Sequence, residues 1–383
     1  MAERAMMEVL GGIGPADKKK SASALRQIGG ADGASPQEQA LLTVLETGTD
    51  AEALKAIRQL AAVGGPVNRQ RLAAIMSDTR WPDALRTGAA RELLASGNPA
   101  EAKSAVQALA SIGGEENIDT LNAMINNASL PQTLRLEAAL GMGVIPTPRA
   151  RDALINAFKV FPQPEVHEQL VGALGQFPFS QTETTFKQVL GDPNTPDEVR
   201  VASVEALSDS TPEALPFLKT TAASDRDPDV REMAAWAISA LDGEGDATLG
   251  PELARMASKE PEADVRRRLY EAMPGQVNNP AESLLTLIRS ETSTAARVAG
   301  FSALGDAVSR GASSGLTAEF DSQIVPELVN IAVSPQSLNV RMRAVFALRR
   351  ANTPAARQAL ETVSQTPNQK VAMVARHGLQ TVK

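Results

Sequence analysis

A short phrase that opens a helix recurs along the chain, and it constrains the fold more than any other feature. The phrase reads PDEVR where it ends at Arg200, and it returns in shortened form at Arg231, Arg266 and Arg341. Self-similarity at a period in the thirties is typical of solenoids, in which each repeat packs on its neighbours. The 383 residues are therefore expected to form one repeat array, although a chain of this length would ordinarily suggest two or three globular domains.

The repeats have two lengths. Most of the repeated positions are 31 to 35 residues apart, whereas Arg86 and Arg135 are 49 residues apart. At the same offset of 49, the segments 51–65 (AEALKAIRQLAAVGG) and 100–114 (AEAKSAVQALASIGG) are identical at 8 of 15 positions. The shorter period predicts a helical hairpin, and the longer one predicts a three-helix unit in the N-terminal half.

The apolar pattern predicts helices throughout. In the hairpin repeats, the second helix opens with Pro, Asp or Asn and then places apolar residues three and four apart, as from Val230 to Leu241. No stretch alternates apolar and polar residues for long enough to predict a sheet. The sequence therefore predicts an all-α fold.

The segments DVREMAAWAISAL from Asp229 and NVRMRAVFALRR from Asn339 resemble the HEAT-repeat family, including the bilin-lyase-type HEAT-like repeats of bacteria. This resemblance implies a right-handed α-solenoid of HEAT-like helical hairpins, with three-helix, armadillo-like units in the N-terminal half. The predicted boundaries along this single solenoid are an N-terminal cap at 1–30, less regular three-helix repeats at 31–145, HEAT-like repeats at 146–352 with a loop inserted near 305–320, and a C-terminal capping repeat at 353–383.

In that family the Asp and Arg of the phrase typically form a polar ladder between adjacent repeats. The resemblance therefore implies a ladder built from Asp197, Arg200, Asp229, Arg231, Asp264 and Arg266. The Arg is replaced by His167 in one repeat and by Ala372 in the last, so the ladder is expected to be broken at both places.

The composition offers few residues of the types that commonly carry out catalysis. The chain has no cysteine, and its two histidines, His167 and His377, are 210 residues apart and belong to no metal-binding motif. We therefore expect a protein that is not an enzyme and that has no catalytic residues, no metal site and no cofactor.

Charge is distributed unevenly. The segment from Arg341 to Lys383 contains eight Lys or Arg and one acidic residue, Glu361, so its net charge is +7. Because the whole chain carries −7, the preceding 340 residues carry −14. The basic end is either an ordinary solvated surface or a docking site for an acidic partner or for the acidic body of another copy.

Helix geometry separates a core side from an outward side. At about 100° per residue, the positions one, five and eight after the repeated Arg lie opposite the core. The resemblance implies that this side of the second helices lines the concave surface. The predicted partner-binding residues there are Trp236, Arg267, Glu271, Met342, Phe346 and Arg349, with Leu136 and Leu140 upstream. The alternative is that the large side chains fill space between neighbouring repeats.

Two functions follow from this pattern, and a third follows from the resemblance. The first is a non-catalytic scaffold or adaptor that binds a protein or peptide along the concave surface. The second is a nucleic-acid-binding protein that uses the basic C-terminal repeats, against which the isoelectric point near 5.2 and the scarcity of aromatic residues argue. The third, a bilin-lyase-like accessory role, follows from the resemblance alone.

The sequence gives two observations that bear on the cellular compartment. The first residues show no signal peptide and no run is long enough to span a membrane, so a cytoplasmic protein is expected. A chain exported after removal of a signal would look the same.

Overall fold

The computed structural model describes residues 15–29, 34–241, 249–276 and 282–381. These residues form α-helices joined by short turns, with two 3-10 turns, one π-helical segment and no strand in the described part. Contacts between Cα atoms divide the chain into two compact units, Met1–Phe177 (unit 1) and Pro178–Lys383 (unit 2). Each unit is an α-solenoid. None of the helices in the described ranges has the length and apolar content needed to cross a bilayer.

Ten helices make up the described part of unit 1. They are α1 Pro15–Gln27, α2 Pro36–Thr47, α3 Asp50–Val63, α4 Gly65–Ser77, α5 Asp83–Ala95, α6 Pro99–Ile112, α7 Glu115–Asn126, α8 Gln132–Met142, α9 Pro148–Val160 and α10 Pro164–Leu174. The predicted N-terminal cap falls partly on residues 1–14 and 30, which lie outside the described residues.

Unit 2 contains the hairpin repeats. Its described helices are α11 Phe179–Gly191, α12 Asp197–Ala206, α13 Leu215–Ser224, α14 Pro228–Ala240, α15 Leu249–Ala257, α16 Ala263–Glu271, α17 Glu282–Arg289, α18 Thr294–Ser309, α19 Ser314–Glu319, α20 Val325–Val333, α21 Leu338–Ala351, α22 Pro354–Val363 and α23 Gln369–Thr381. Helices α12, α14, α16, α18, α21 and α23 pack on one another in that order. We call these six helices the second-helix row.

Helix α14 shows why the repeated phrase begins a helix. The Asp227 carboxylate accepts hydrogen bonds from the backbone N–H groups of Asp229 (2.9 Å) and Val230 (3.2 Å). Pro228 occupies the first turn, where no backbone N–H is needed for the helix. The side chains buried along α14 lie three and four residues apart on one side and are small or aliphatic: Val230, Ala234, Ala235, Ala237 and Ile238.

Unit 1 contains a structural repeat at the predicted offset. Helices α3, α4 and α5 begin at 50, 65 and 83, and helices α6, α7 and α8 begin at 99, 115 and 132. In each of these three-helix repeats, the chain turns after the first helix at a Gly-Gly pair with positive φ. The two pairs are Gly64–Gly65 and Gly113–Gly114. Only glycine adopts this conformation without steric cost, so the identical pair marks the same turn twice.

A buried asparagine fixes each of these turns. Asn68 donates from Nδ2 to the carbonyl oxygen of Gly64 at 2.9 Å, and Asn117 donates in the same way to Gly113 at 2.8 Å. The asparagines are also 49 residues apart, and their side chains are almost fully buried. The sequence pattern gave no reason to single out these two residues, because one polar residue on a helix is ordinarily exposed.

The loop predicted near 305–320 is mostly helical. Helix α18 continues to Ser309, only residues 310–313 form a turn, and α19 follows. Ser313 caps α19 by accepting a hydrogen bond from the backbone N–H of Leu316 at 3.3 Å, and the side chains of Leu316 and Phe320 are buried. Burial of these apolar side chains stabilises a helix in a segment where the Gly and Ser content favoured a loop.

Candidate partner-binding site

A ladder of arginine–carboxylate pairs runs through four consecutive hairpins of unit 2. Arg200 donates from Nη2 to both carboxylate oxygens of Asp225 at 2.6 Å. Arg231 binds Glu260 in a bidentate manner, with two N···O distances of 2.8 Å. Arg266 binds both Glu291 oxygens, at 2.7 and 2.8 Å. In each pair the Arg belongs to one hairpin and the carboxylate to the next.

The carboxylates of the ladder also hold the turns in which they lie. Asp225, Glu260 and Glu291 stand between the two helices of a hairpin, and each accepts a hydrogen bond from the backbone N–H two residues later, at 2.9 to 3.0 Å. The next Arg along the ladder donates to the backbone carbonyl oxygen of the same acidic residue: Arg231 to Asp225, Arg266 to Glu260 and Arg297 to Glu291. Side chains and backbone therefore alternate along one continuous chain of charge-assisted hydrogen bonds.

The acidic partners differ from those expected. Asp197 pairs with Arg200 at 3.0 Å, but within one helix and not between repeats, and Asp229 and Asp264 do not pair with Arg231 and Arg266. The carboxylates that do so lie six residues before the following repeated Arg. The Asp of the phrase lies in the first turn of its own helix and is exposed at both of these positions. At that place an acidic residue interacts favourably with the helix dipole, which explains its presence in the phrase.

At Arg86, Arg135, His167 and Arg341, the residue at the repeated position contacts the end of the preceding helix. Arg86, Arg135 and Arg341 donate to the carbonyl oxygen of a residue at the end of the preceding helix, at 3.1, 2.9 and 2.8 Å. His167 takes the place of Arg there: its Nε2 lies 2.6 Å from the Phe161 carbonyl oxygen. This residue therefore caps carbonyl groups that lack a partner at a helix C-terminus.

Two ladder carboxylates have a pKa below the ordinary value for Glu. Burial is the largest influence on Glu260 and Glu291 and by itself raises the pKa. Hydrogen bonds from Arg231 and Arg266, and from the backbone of each turn, outweigh burial and lower the pKa of both carboxyl groups. A carboxyl group with a lower pKa in the folded than in the unfolded chain stabilises the fold above its unfolded pKa, about 4.3.

This stabilisation is expected to disappear as the pH falls through the folded-state pKa of the two groups. The urea midpoint of the protein should therefore fall as the pH is lowered below the unfolded pKa of about 4.3. In the Glu260→Gln/Glu291→Gln variant the fall should be smaller, because the glutamines do not titrate. Urea titrations at several pH values measure how steeply the midpoint falls with pH in the wild type and in the variant. An equal fall in both proteins would show that these two carboxylates do not contribute to the acid sensitivity.

A second charged cluster joins three helices of the second-helix row. Glu232 of α14 accepts from Arg267 at 2.8 Å and from Arg268 at 3.0 Å, both on α16. Glu271 binds the same two arginines at 3.2 and 3.0 Å and also pairs with Arg343 of α21. Burial, followed by the charges of Arg267 and Arg268, lowers the pKa of Arg343. The predicted binding residues Arg267 and Glu271 are thus paired with each other and with their neighbours.

The apolar candidates differ in exposure. Phe346 is 44% exposed, whereas Trp236 and Met342 are half-buried. In unit 1, Leu136 and Leu140 of α8 are half-buried as well. Phe346 therefore protrudes, and the other four side chains are partly covered by their neighbours.

The final helices of the second-helix row form a basic face. Helices α21 and α23 pack together and contain no acidic residue, and Met373 on α23 is 62% exposed. Arg349, the remaining candidate, is half-buried on α21, and its Cβ lies against Gly378 of α23. In the described ranges, no group of three or more His, Asp or Glu side chains is placed to hold a metal ion.

Comparison with known proteins agrees with this architecture. The family model for HEAT repeats matches residues 160–239 and 197–274. The match is to HEAT repeats in general, so the narrower resemblance to the bilin-lyase type stays an expectation. No curated protein sequence is significantly similar to the chain.

Solved structures include karyopherins. Kap121p bound to the extreme C-terminus of the protein phosphatase Cdc14p is 13% identical, covers 91% of this chain and 45% of its own, and has a TM-score of 0.50. A triple mutant of Kap121p is 11% identical, with coverages of 90% and 45% and a TM-score of 0.52. This chain thus spans less than half of the length of Kap121p.

Human deoxyhypusine hydroxylase in complex with glycerol is 20% identical over 70% of this chain and 96% of its own, with a TM-score of 0.31. That score is too low to support a statement about shared architecture or activity. The karyopherin matches support the fold alone, and the family model identifies the repeats. HEAT repeats are therefore matched over residues 160–274 of this chain.

Proposed function

We propose that the chain is a non-catalytic scaffold or adaptor that binds a protein or peptide partner along the second-helix row of unit 2. One observation carries this proposal: Phe346 and Met373 protrude from the row, while the ladder and the cluster around Glu271 pair most of its buried charges internally. Exposed large apolar side chains on a row of rigid helices are typical of interaction surfaces.

The family supports this function. Repeat solenoids offer extended surfaces built of parallel second helices. In one similar structure, Kap121p is bound to a peptide segment, the C-terminus of a phosphatase. The sequence of this chain lacks cysteine and clustered histidines, which favours binding over catalysis.

Trp236→Ala tests the proposal. The variant is expected to bind the partner about 30-fold more weakly, because truncating an interface Trp costs about 2 kcal/mol or more. The measurement is capture of a protein from nuclease-treated lysate by the wild type and the variant, followed by titration calorimetry with the captured protein. Circular dichroism checks that the helix content of the variant is unchanged.

Gln358→Ala is the matched control, because Gln358 is exposed on α22, outside the second-helix row. It should bind like the wild type. Equal binding by the Trp236 variant would remove this residue from the interface. Loss of all captured material on nuclease treatment would contradict the proposal.

Nucleic-acid binding is the second candidate. The absence of acidic residues from α21 and α23 favours it, since basic surfaces attract phosphate backbones. Single-stranded nucleic acids also require several aromatic side chains for base stacking, and Phe346 is the only Phe, Tyr or Trp on these two helices. A bilin-lyase-like accessory role has no further observation in its favour.

A further inference from the structure

The C-terminal end of the second-helix row combines positive charge with exposed apolar groups. Helices α21 and α23 contain six Lys or Arg and no Asp or Glu. The only acidic residue after position 340 is Glu361, which lies on α22, outside the row. The positive charge of α21 and α23 is therefore not balanced by any carboxylate on the same two helices.

Two of these six cations, Lys370 and Arg376, are available to a partner, whereas Arg350 pairs with Asp306 of α18 at 3.5 Å. Arg341 and Arg343 are used internally, the first by the carbonyl oxygen of Ala332 and the second by Glu271. Lys370 and Arg376 are exposed on α23, and no carboxylate of the described residues lies within ion-pair distance of either. Arg376 donates one hydrogen bond of 3.4 Å, to the Ser364 carbonyl oxygen. A neutral carbonyl group leaves the charge of the guanidinium uncompensated.

Apolar side chains accompany these cations. Met342 and Met373 both follow the repeated position by one residue, so they occupy equivalent places on neighbouring helices. Phe346 lies one helical turn after Met342 and is exposed. Methionine side chains are flexible and polarisable, and they adapt to apolar groups of different shape.

We infer that the face formed by Met342, Phe346, Lys370, Met373 and Arg376 binds an acidic protein segment that also carries apolar side chains. Carboxylates of the segment pair with Lys370 and Arg376, and its apolar side chains cover Phe346 and Met373. The inference rests on the proposed function and specifies its partner. The bound segment is expected to be acidic because the face has cations without internal carboxylate partners, and complementary charges favour binding.

The apolar groups favour a protein segment over a nucleic acid. Met373 is 62% exposed and gains little from a phosphate backbone, whereas an aliphatic or aromatic side chain buries it. A second copy of the chain is the other possible source of acidic residues, since residues 1–340 carry a net charge of −14. The experiment separates these occupants.

The probes are fluorescein-labelled synthetic 16-residue peptides measured by fluorescence anisotropy. One peptide alternates Glu with Leu and Phe, a second has Gln in place of every Glu, and a third has Ser in place of Leu and Phe. A labelled 16-nucleotide oligothymidine is the nucleic-acid probe. The first peptide is expected to bind at least about tenfold more tightly than the other three probes. Only this peptide has both carboxylates for the cations of the face and apolar side chains for its Met and Phe residues.

Two double variants locate the binding. Lys370→Glu/Arg376→Glu is expected to weaken binding of the first peptide at least about tenfold, as is Phe346→Ala/Met373→Ala. Arg255→Glu/Lys259→Glu is the control, because it changes the charge equally at exposed positions at the end of α15 and just after it, outside the row. Binding by the control should stay within about twofold of the wild type, a difference below 0.5 kcal/mol.

Four results would overturn the inference. These are equal binding of the Glu and Gln peptides, equal loss in the two charge-reversal variants, tighter binding of the oligothymidine, and self-association abolished by Lys370→Glu/Arg376→Glu without peptide binding. Failure of the acidic-segment inference is distinguishable from failure of the scaffold proposal. If Trp236→Ala weakens capture of a lysate protein while Lys370→Glu/Arg376→Glu does not, the scaffold proposal stands and the acidic-segment inference fails.

Discussion

Replacing Glu291 by alanine is expected to destabilise unit 2 by about 3–5 kcal/mol, the typical effect of removing one partner of a buried ion pair. The Glu291 side chain is 3% exposed and accepts two hydrogen bonds from Arg266 and one from the Ser293 backbone. Without it, the Arg266 guanidinium loses both of its bonds to the next hairpin. A lower urea midpoint by circular dichroism is the expected readout.

Asp229→Ala is the matched control for this prediction. Asp229 belongs to the repeated phrase, but its side chain is exposed and does not pair with Arg231. Its loss should cost at most about 1 kcal/mol, the value of a favourable charge near a helix N-terminus. If Asp229→Ala destabilised the protein as much as Glu291→Ala, the ladder would be assigned to the wrong carboxylates.

Replacing Arg71 by alanine is expected to have an effect of similar size in unit 1, again about 3–5 kcal/mol. The Arg71 side chain is fully buried and donates to Asn68 at 2.8 Å, Glu38 at 3.3 Å, and the carbonyl oxygens of Ile28 at 3.1 Å and Leu25 at 3.4 Å. Its removal takes one donor from the Glu38 carboxylate, which keeps its bonds from Asn68 and the Ser35 backbone, and removes the guanidinium from the Asn68 Oδ1 and Ile28 carbonyl oxygens. Thermal and urea unfolding curves measure the loss.

The three-helix repeat supplies a control for Arg71. Thr120 occupies the equivalent position 49 residues later, where its hydroxyl accepts from Arg91 and donates to the Glu116 carbonyl oxygen, both at 2.9 Å. Thr120→Ala should cost about 1 kcal/mol, the net value of an ordinary hydrogen bond. Equal destabilisation by Arg71→Ala and Thr120→Ala would contradict a special role for the buried guanidinium.

The repeat architecture was predictable because it depends on residues that recur. The phrase ending at Arg231 begins a helix, with Asp227 just before it as the cap and Pro228 in the first turn. The offset of 49 between two segments of unit 1 predicted three-helix units, and the structure places helix starts at almost the same offset. Such local signals do not depend on the rest of the fold.

The ladder was predictable only in part. The arginines recur in sequence, but their carboxylates lie 25 to 29 residues away in the next hairpin. A signal did exist, because Asp225, Glu260 and Glu291 each precede the following repeated Arg by six residues. The buried network around Asn68 gave no such signal, since its donors and acceptors come from three different segments of unit 1.

Exposure of the candidate site could not be read from helical periodicity. Trp236 and Phe346 occupy the same position of their repeats, five residues after the Arg, yet only Phe346 is exposed. The neighbours in the adjacent repeat decide how much of each side chain is covered, and periodicity within one helix does not describe them. For the same reason, the pairing of Arg267 with Glu232 was not foreseen.

Site-specific photo-crosslinking tests most directly whether the second-helix row of unit 2 contacts a protein partner. A benzoylphenylalanine replaces Phe346 in one sample and Gln358 of α22 in another, and each protein is irradiated in nuclease-treated lysate. The scaffold proposal predicts a specific protein crosslinked at position 346 and not at position 358, identified by mass spectrometry. The same crosslinks at both positions, or none at position 346, would contradict it.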